Sequence, residues 1–274
     1  MNKKWLAGPY LVWMVGFIVI PLILIVYYGL TDKSGAFTLA NVLSISTPEH
    51  VKALWLSLGL SLVSTVICLV LAYPLAMILR NRGIGQGSFI VFIFILPMWM
   101  NFLLRTLAWQ TLLEKSGVIN GILSALHLPN QNLINTPGAI VLGMVYNFLP
   151  FMVLPIFNSL SKMDNDLINA ARDLGANSFQ VFTKVIFPLS LPGVVSGITM
   201  VFMPAVTTFA ISRLLGGGKF MLIGDLIEQQ FTVVGDWNFG SAVSIFMMII
   251  ILISMAVMSR FEDESDKEGG GLLF

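Results

Sequence analysis

Long apolar stretches separated by short polar ones run through the whole chain. A helix needs roughly 20 apolar residues to cross the hydrocarbon core of a bilayer. Stretches of that length recur near Gly8–Leu30, Leu54–Leu79, Ser88–Trp109, Gly138–Phe157, Phe187–Phe209 and Phe239–Ser259. The pattern predicts an all-α integral membrane protein with six transmembrane helices in one membrane domain over residues 1–274. The first stretch follows Lys3 and Lys4 as a signal peptide would. It is longer than an ordinary signal core and no small-residue cleavage site follows it, so it is expected to stay as a signal-anchor.

Basic residues orient the spans. With both termini cytoplasmic, the inner segments hold Lys3, Lys4, Arg80, Arg82, Lys162, Arg172, Lys184, Arg260 and Lys267. The outer ones hold only Lys33, Lys52, Lys115, Arg213 and Lys219. The outer connections 110–137 and 210–238 are long, and the apolar run up to Leu128 predicts a short surface helix in the first. The tail 260–274 is acidic, then glycine-rich, and is expected to be flexible. Pro21, Pro74, Pro97, Pro150, Pro155, Pro192 and Pro204 lie in or beside spans, where each removes a backbone donor and favours a kink.

The inner segment 161–186 has a different pattern. Met163, Leu167, Ala170, Ala171 and Leu174 recur at helical spacing among Asp164, Asp166, Arg172 and Asp173. Asp164 suits an N-cap, and Gly175 suits the left-handed residue that ends a helix. Asn177 and Gln180 are spaced as a capping box for a second short helix carrying Phe179, Phe182 and Ile186. Pro188 is expected to stop or kink that helix. Two short helices about a glycine bend make a knob with a greasy face. Such a face either docks a partner or lies on the lipid interface.

Composition narrows the chemistry. Hydrophobic residues make up 57% and charged ones 11%, against about 25% charged in an ordinary soluble domain. Lys and Arg number 15 and Asp and Glu 14, so nucleic acid is not an expected partner. Cys68 is the single cysteine, and His50 and His127 are the only histidines, so neither a metal cluster nor a histidine relay is expected. No carboxylate lies mid-span to relay protons or sodium. Gly216-Gly217-Gly218-Lys219 lacks the hydroxyl that follows the lysine of a phosphate-binding loop. A chain that spans the membrane with neither an ion relay nor a nucleotide site of its own is expected to be a pathway without a motor, and not an enzyme.

Asn169-Ala170-Ala171, then Gly175, then Ile186 and Pro188 resemble the signature inner loop of ABC importer permeases of the binding-protein-dependent type. That loop reads Glu-Ala-Ala, three residues, Gly, ten residues, an aliphatic residue, one residue, Pro. Asn169 stands where the family usually has Glu. Leu96–Asn101 with Arg105, Tyr146–Pro155, Ala170–Ala176, Gly216–Lys219 with Leu222–Gly224, and Asp236–Gly240 resemble the spermidine/putrescine permeases within that family. The resemblance implies a six-span permease of the type I importer fold in the cytoplasmic membrane of a prokaryote. It also implies a second permease subunit, two copies of an ATPase that bind ATP and Mg, and an extracytoplasmic polyamine-binding protein, all assembled in membrane lipid. The ATPase-coupling residues it implies are Asn169, Ala170, Ala171, Gly175, Phe179, Ile186 and Pro188. The same machine carrying thiamine, a metal chelate or an anion is the nearest alternative, and a scaffold without transport activity is another.

A polycation would follow acids and aromatic faces, each face attracting an ammonium group by about 0.5–2 kcal/mol. The outer candidates are Trp99, Trp109, Glu114, Tyr146, Asp225, Glu228, Asp236 and Trp237. Tryptophan and tyrosine also gather at membrane interfaces without binding anything. Arg105 lies within a span and repels a cation, so it is expected in a structural or gating pair.

Overall fold

The computed structural model describes residues 8–81, 96 and 98–270, with side chains as far as Arg260. Among the described residues, five helices are long and apolar enough to cross a membrane. They are α1 (Gly8–Gly29), α2 (Pro48–Asn81), α5 (Pro137–Lys162), α7 (Ser178–Thr207) and the apolar part Trp237–Arg260 of α10. Shorter helices lie between them: α3 (Phe102–Leu113), α4 (Val118–Ala125), α6 (Asn165–Asp173), α8 (Ala210–Gly216) and α9 (Ile223–Gln229). Residues 88–95 and 97 of the expected span Ser88–Trp109 lie outside the described residues. Its outer part is α3, which begins afresh inside the expected span because the Asn101 side-chain Oδ1 accepts from the amides of Leu103 and Leu104 at 2.9 and 3.3 Å.

α5 is the central helix. Thr136 caps it by accepting from the Ala139 amide, and Pro137 occupies its first turn, where no backbone donor is needed. Ile140, Met144, Phe148, Met152, Ile156 and Leu160 recur every four residues along it and are buried. α2 and α7 flank it. α7 approaches closely through Gly193 and Gly197, four residues apart. A Cβ on Gly193 would lie 2.6 Å from the Pro155 carbonyl oxygen, and one on Gly197 2.7 Å from the Met152 sulfur. α1 stands outside this core and leans on α10, where Gly29 packs on Ala242 and Ile245.

The expected boundaries shift outward at several ends. α2 begins at Pro48 and not Leu54, and α5 runs to Lys162 and not Phe157. α10 is helical from Trp237 to Gly270, where a flexible tail is expected from residue 260. The run Phe261–Lys267 is rich in acidic residues and carries no helix breaker, so the backbone continues. The short surface helix expected before Leu128 is α4, held by Asn120, whose side chain bonds to the backbone of Glu114 and Gln131.

The helix expected to stop or kink at Pro188 does not stop there. The segment from Ser178 continues through Pro188 into the membrane as α7. A single wide turn at Phe182–Ile186 makes this possible, with the Phe187 amide bonded back to the Phe182 carbonyl. The widened turn makes room for the proline ring, which a regular helix would drive into the preceding turn. α1 uses the same device at Val15–Val19 ahead of Pro21.

Candidate functional site

The inner loop is built from local signals. Asp164 caps α6 by accepting from the Asp166 amide at 2.9 Å. Gly175 ends it with φ +86°, and the amides of Gly175 and Ala176 bond back to the carbonyls of Arg172 and Ala171. Asn177 and Gln180 then form a reciprocal capping box, both bonds at 2.9 Å, that opens α7. Each of these three signals was legible in the sequence.

The loop presents an outward apolar face. Leu174 is 89% exposed and Phe179 73%, with Leu167 half-exposed on the same knob. Asn169, Ala170 and Gly175 are exposed, and Ala171 and Ile186 are half-buried. Nothing lies within 4 Å of where a Gly175 Cβ would stand. Ile168 turns the other way and is buried, so it seats the helix on the bundle. The periodicity at Met163, Leu167, Ala170, Ala171 and Leu174 did not reveal Ile168, which lies on the opposite side of the helix.

Two further features of the inner end were not read from the sequence. Arg80, at the end of α2, donates from Nη2 to the Asn165 side-chain oxygen at 2.9 Å and to the Met163 carbonyl at 3.4 Å. A groove of about 710 Å³ opens between α5, the start of the loop and α7. Asn158, Ser159, Lys162, Asp164, Gly193 and Ser196 are among its lining residues. Neither feature has a local sequence signature, because both join residues far apart in the chain.

The outer candidates do not gather into one cage. Trp109 and Tyr146 meet edge to face at 5.4 Å between α3 and α5. Trp237 meets Phe231 at 5.4 Å and Tyr28 at 6.3 Å. Trp99 and Glu114 are exposed. The acids largely hold backbone. Asp225 Oδ2 accepts from the Ser212 hydroxyl at 2.6 Å and the Leu222 amide at 3.0 Å. Burial pushes the Asp225 carboxyl above the usual carboxylate range, against the lowering effect of those two bonds. Glu228 pairs with Arg213 at 3.0 Å, and Asp236 accepts from the Phe239 amide as α10 begins.

Arg105 is 8% exposed, and its Nε and Nη1 are buried without a hydrogen-bond partner among the described residues. It forms no ion pair there. On the neighbouring helix α5, the Asn147 side-chain oxygen is likewise buried without a partner.

Much of the long outer connection 210–238 folds into the bundle. Ile211, Leu215, Leu222 and Ile223 are fully buried. The Ile223 amide donates to Ser57 Oγ of α2 at 2.8 Å, and the Asn135 amide to the Leu215 carbonyl at 2.8 Å. Irregular backbone among spans requires such protein partners. Gly224 lets α9 press onto the end of α7, since a Cβ there would lie 2.5 Å from the Thr207 carbonyl oxygen.

Residues 2–264 match the family described as binding-protein-dependent transport system inner membrane component. The chain is 35% identical over 260 residues to the spermidine/putrescine transport system permease protein PotB of Haemophilus influenzae, covering 90% of each chain. It is 36% identical over 256 residues to PotB of Escherichia coli, covering 90% of this chain and 93% of that one. In fold it is similar to a chain of a bacterial alginate ABC transporter, with a TM-score of 0.78, 17% identity and coverage of 94% and 93%. It is also similar in fold to a chain of the MetNI methionine ABC transporter, with a TM-score of 0.57, 20% identity and coverage of 78% and 95%. The chain therefore belongs to the inner membrane components of binding-protein-dependent transport systems, the permease subunits of ABC importers.

Proposed function

We propose that this chain is one permease of a polyamine importer of the spermidine/putrescine type. The observation that carries the cargo is the 35–36% identity over nine-tenths of the chain to PotB permeases. The proposed assembly adds a second permease subunit, two copies of an ATPase that hold ATP and Mg, and an extracytoplasmic polyamine-binding protein. In this reading the chain has six spans in the cytoplasmic membrane, the sixth running through Ser88–Trp109, and both termini are cytoplasmic.

The inner knob is the proposed ATPase seat. Leu167, Leu174 and Phe179 supply exposed apolar contact, and Ala170 and Gly175 let a second surface approach closely. Asn169 replaces the family's Glu and supplies hydrogen bonding without charge. Ile186 and Pro188 set how the knob joins α7. On the outer side, Trp109 with Tyr146 and Trp237 with Phe231 offer aromatic faces to ammonium groups as they pass. Trp99, Glu114, Asp225, Glu228 and Asp236 complete the proposed outer route. Arg105 keeps its place as a structural or gating group, because a fixed cation repels the cargo.

The test is uptake of radiolabelled spermidine by proteoliposomes holding the whole complex and its binding protein. Saturable, ATP-dependent uptake competed by putrescine, and not by thiamine or sulfate, is the expected result. Uptake of another solute that polyamines leave untouched would overturn the cargo assignment.

A further inference from the structure

The inner loop and the outer insert lie at opposite ends of the bundle, and α7 is the covalent link between them. α7 is poorly built to transmit force. It contains the wide turn Phe182–Ile186 and then Pro188, Pro192 and Pro204, and its regular helix stops at Thr207. The start of the loop also faces the open groove on the α7 side.

α2 is built differently. It is a single helix of 34 residues with one internal proline, Pro74. Its inner end is bonded to both sides of the loop. Arg80 holds the entry, through Asn165 and the Met163 carbonyl. Tyr73 holds the exit. Its buried hydroxyl lies 2.7 Å from Ser190 Oγ, and its ring packs at 5.7 and 5.9 Å from Phe182 and Phe187. Tyr73 and Arg80 are two turns apart and share one face of α2. At the other end, Ser57 accepts the buried Ile223 amide of the outer insert. At 1.5 Å per residue, Ser57 and Arg80 are separated by roughly 34 Å of helix, about the thickness of a bilayer core.

We propose that α2 is the rod that carries movement of the inner loop to the outer insert. Arg80 and Tyr73 are its positioning residues at the inner end and Ser57 at the outer end. This rests on the reading of the loop as the ATPase seat, and it holds for any cargo.

The test uses the whole complex in proteoliposomes, with Cys68→Ala and cysteine-free partners. Uptake and ATP hydrolysis are measured together, and a spin label on Val233, an exposed residue within the outer insert 210–238, reports nucleotide-driven movement. Arg80→Ala is expected to leave ATP hydrolysis within about twofold, lower uptake per ATP at least fivefold and abolish the Val233 response. Tyr73→Phe, which keeps the ring and removes the hydroxyl, is expected to lower the ratio about twofold. Replacing Arg80 and Asn165 by cysteines joined with a short bis-thiol reagent is expected to restore the Arg80→Ala loss. Unchanged uptake per ATP and an unchanged Val233 response in Arg80→Ala would overturn the proposal. So would a bridged pair that hydrolyses ATP without moving Val233, because entry and rod would then have to separate. Absence of spermidine uptake in the unsubstituted complex would fail the cargo reading alone, since the Val233 response does not depend on cargo.

Discussion

α7 has a polar connection at each end, and the two are made in opposite ways. The inner one, residues 163–177, takes its caps from its own neighbours and presents an exposed face, with Arg80 of α2 and buried Ile168 tying it to the bundle. Its caps at Asp164, Gly175 and Asn177 all close within a few residues. The outer one, residues 208–236, is held by distant parts of the chain and folds into the bundle. Ile223 bonds to Ser57, Leu215 bonds to Asn135, and Leu215 and Ile211 pack on Gly143. A part that must engage another protein benefits from being self-supporting and exposed. A part that fills the interior must take its shape from what surrounds it.

The comparison predicts different consequences for glycine substitution in the two regions. Gly224→Val is expected to have the largest effect. Its side chain would meet the carbonyl oxygens of Thr207 and Thr208, which are backbone and cannot rotate away. Overpacking of this kind costs about 3 kcal/mol or more. It should appear as a large drop in the thermal midpoint of the purified permease in detergent. A midpoint like that of the unsubstituted chain would mean that the outer segment is loosely attached.

Gly175→Ala probes the inner connection. There is space for the methyl group, so only the left-handed backbone resists it. The cost is about 1 kcal/mol. The same melting measurement should show a small shift, with membrane insertion unchanged. A loss as large as that at Gly224 would break the contrast between the two regions.

These two glycines also show how far the sequence could be read. Gly175 was legible because a helix with a capped start and a greasy face ends there, and left-handed closure is a local requirement. Gly224 was not legible, since its need for a bare backbone comes from the end of α7. The same holds for the Gly193 and Gly197 contacts with α5 and for Arg80. The membrane class was legible in the apolar lengths. Pro188 does not stop the second loop helix, because a wide turn just before it makes room for the ring. The outer acids are candidates for cargo by charge alone, and their partners in the structure, amides for Asp225 and Asp236 and Arg213 for Glu228, were not legible in the sequence. Charge in a loop does not say whether backbone or ligand will claim it.

The smallest expected effect is the pH response of the outer insert. Burial raises the Asp225 carboxyl in the folded state above its unfolded value. The contribution is therefore most favourable at acid pH, below the unfolded value, and is lost as pH rises through the raised folded value. Asp225→Asn should flatten this component of the stability profile between acid and neutral pH. An equally steep profile in the variant would assign the dependence to another group.

The central claim is that the knob around Asn169–Gly175 seats a motor protein and does not merely lie on lipid. Leu174 is the most exposed large apolar side chain of that knob, so a photo-crosslinking amino acid placed there in the assembled complex reads its neighbour directly. The account predicts a covalent adduct between this chain and the ATPase subunit, with a yield that changes when ATP is added. Adducts to lipid alone, with the ATPase present and bound elsewhere, would contradict it.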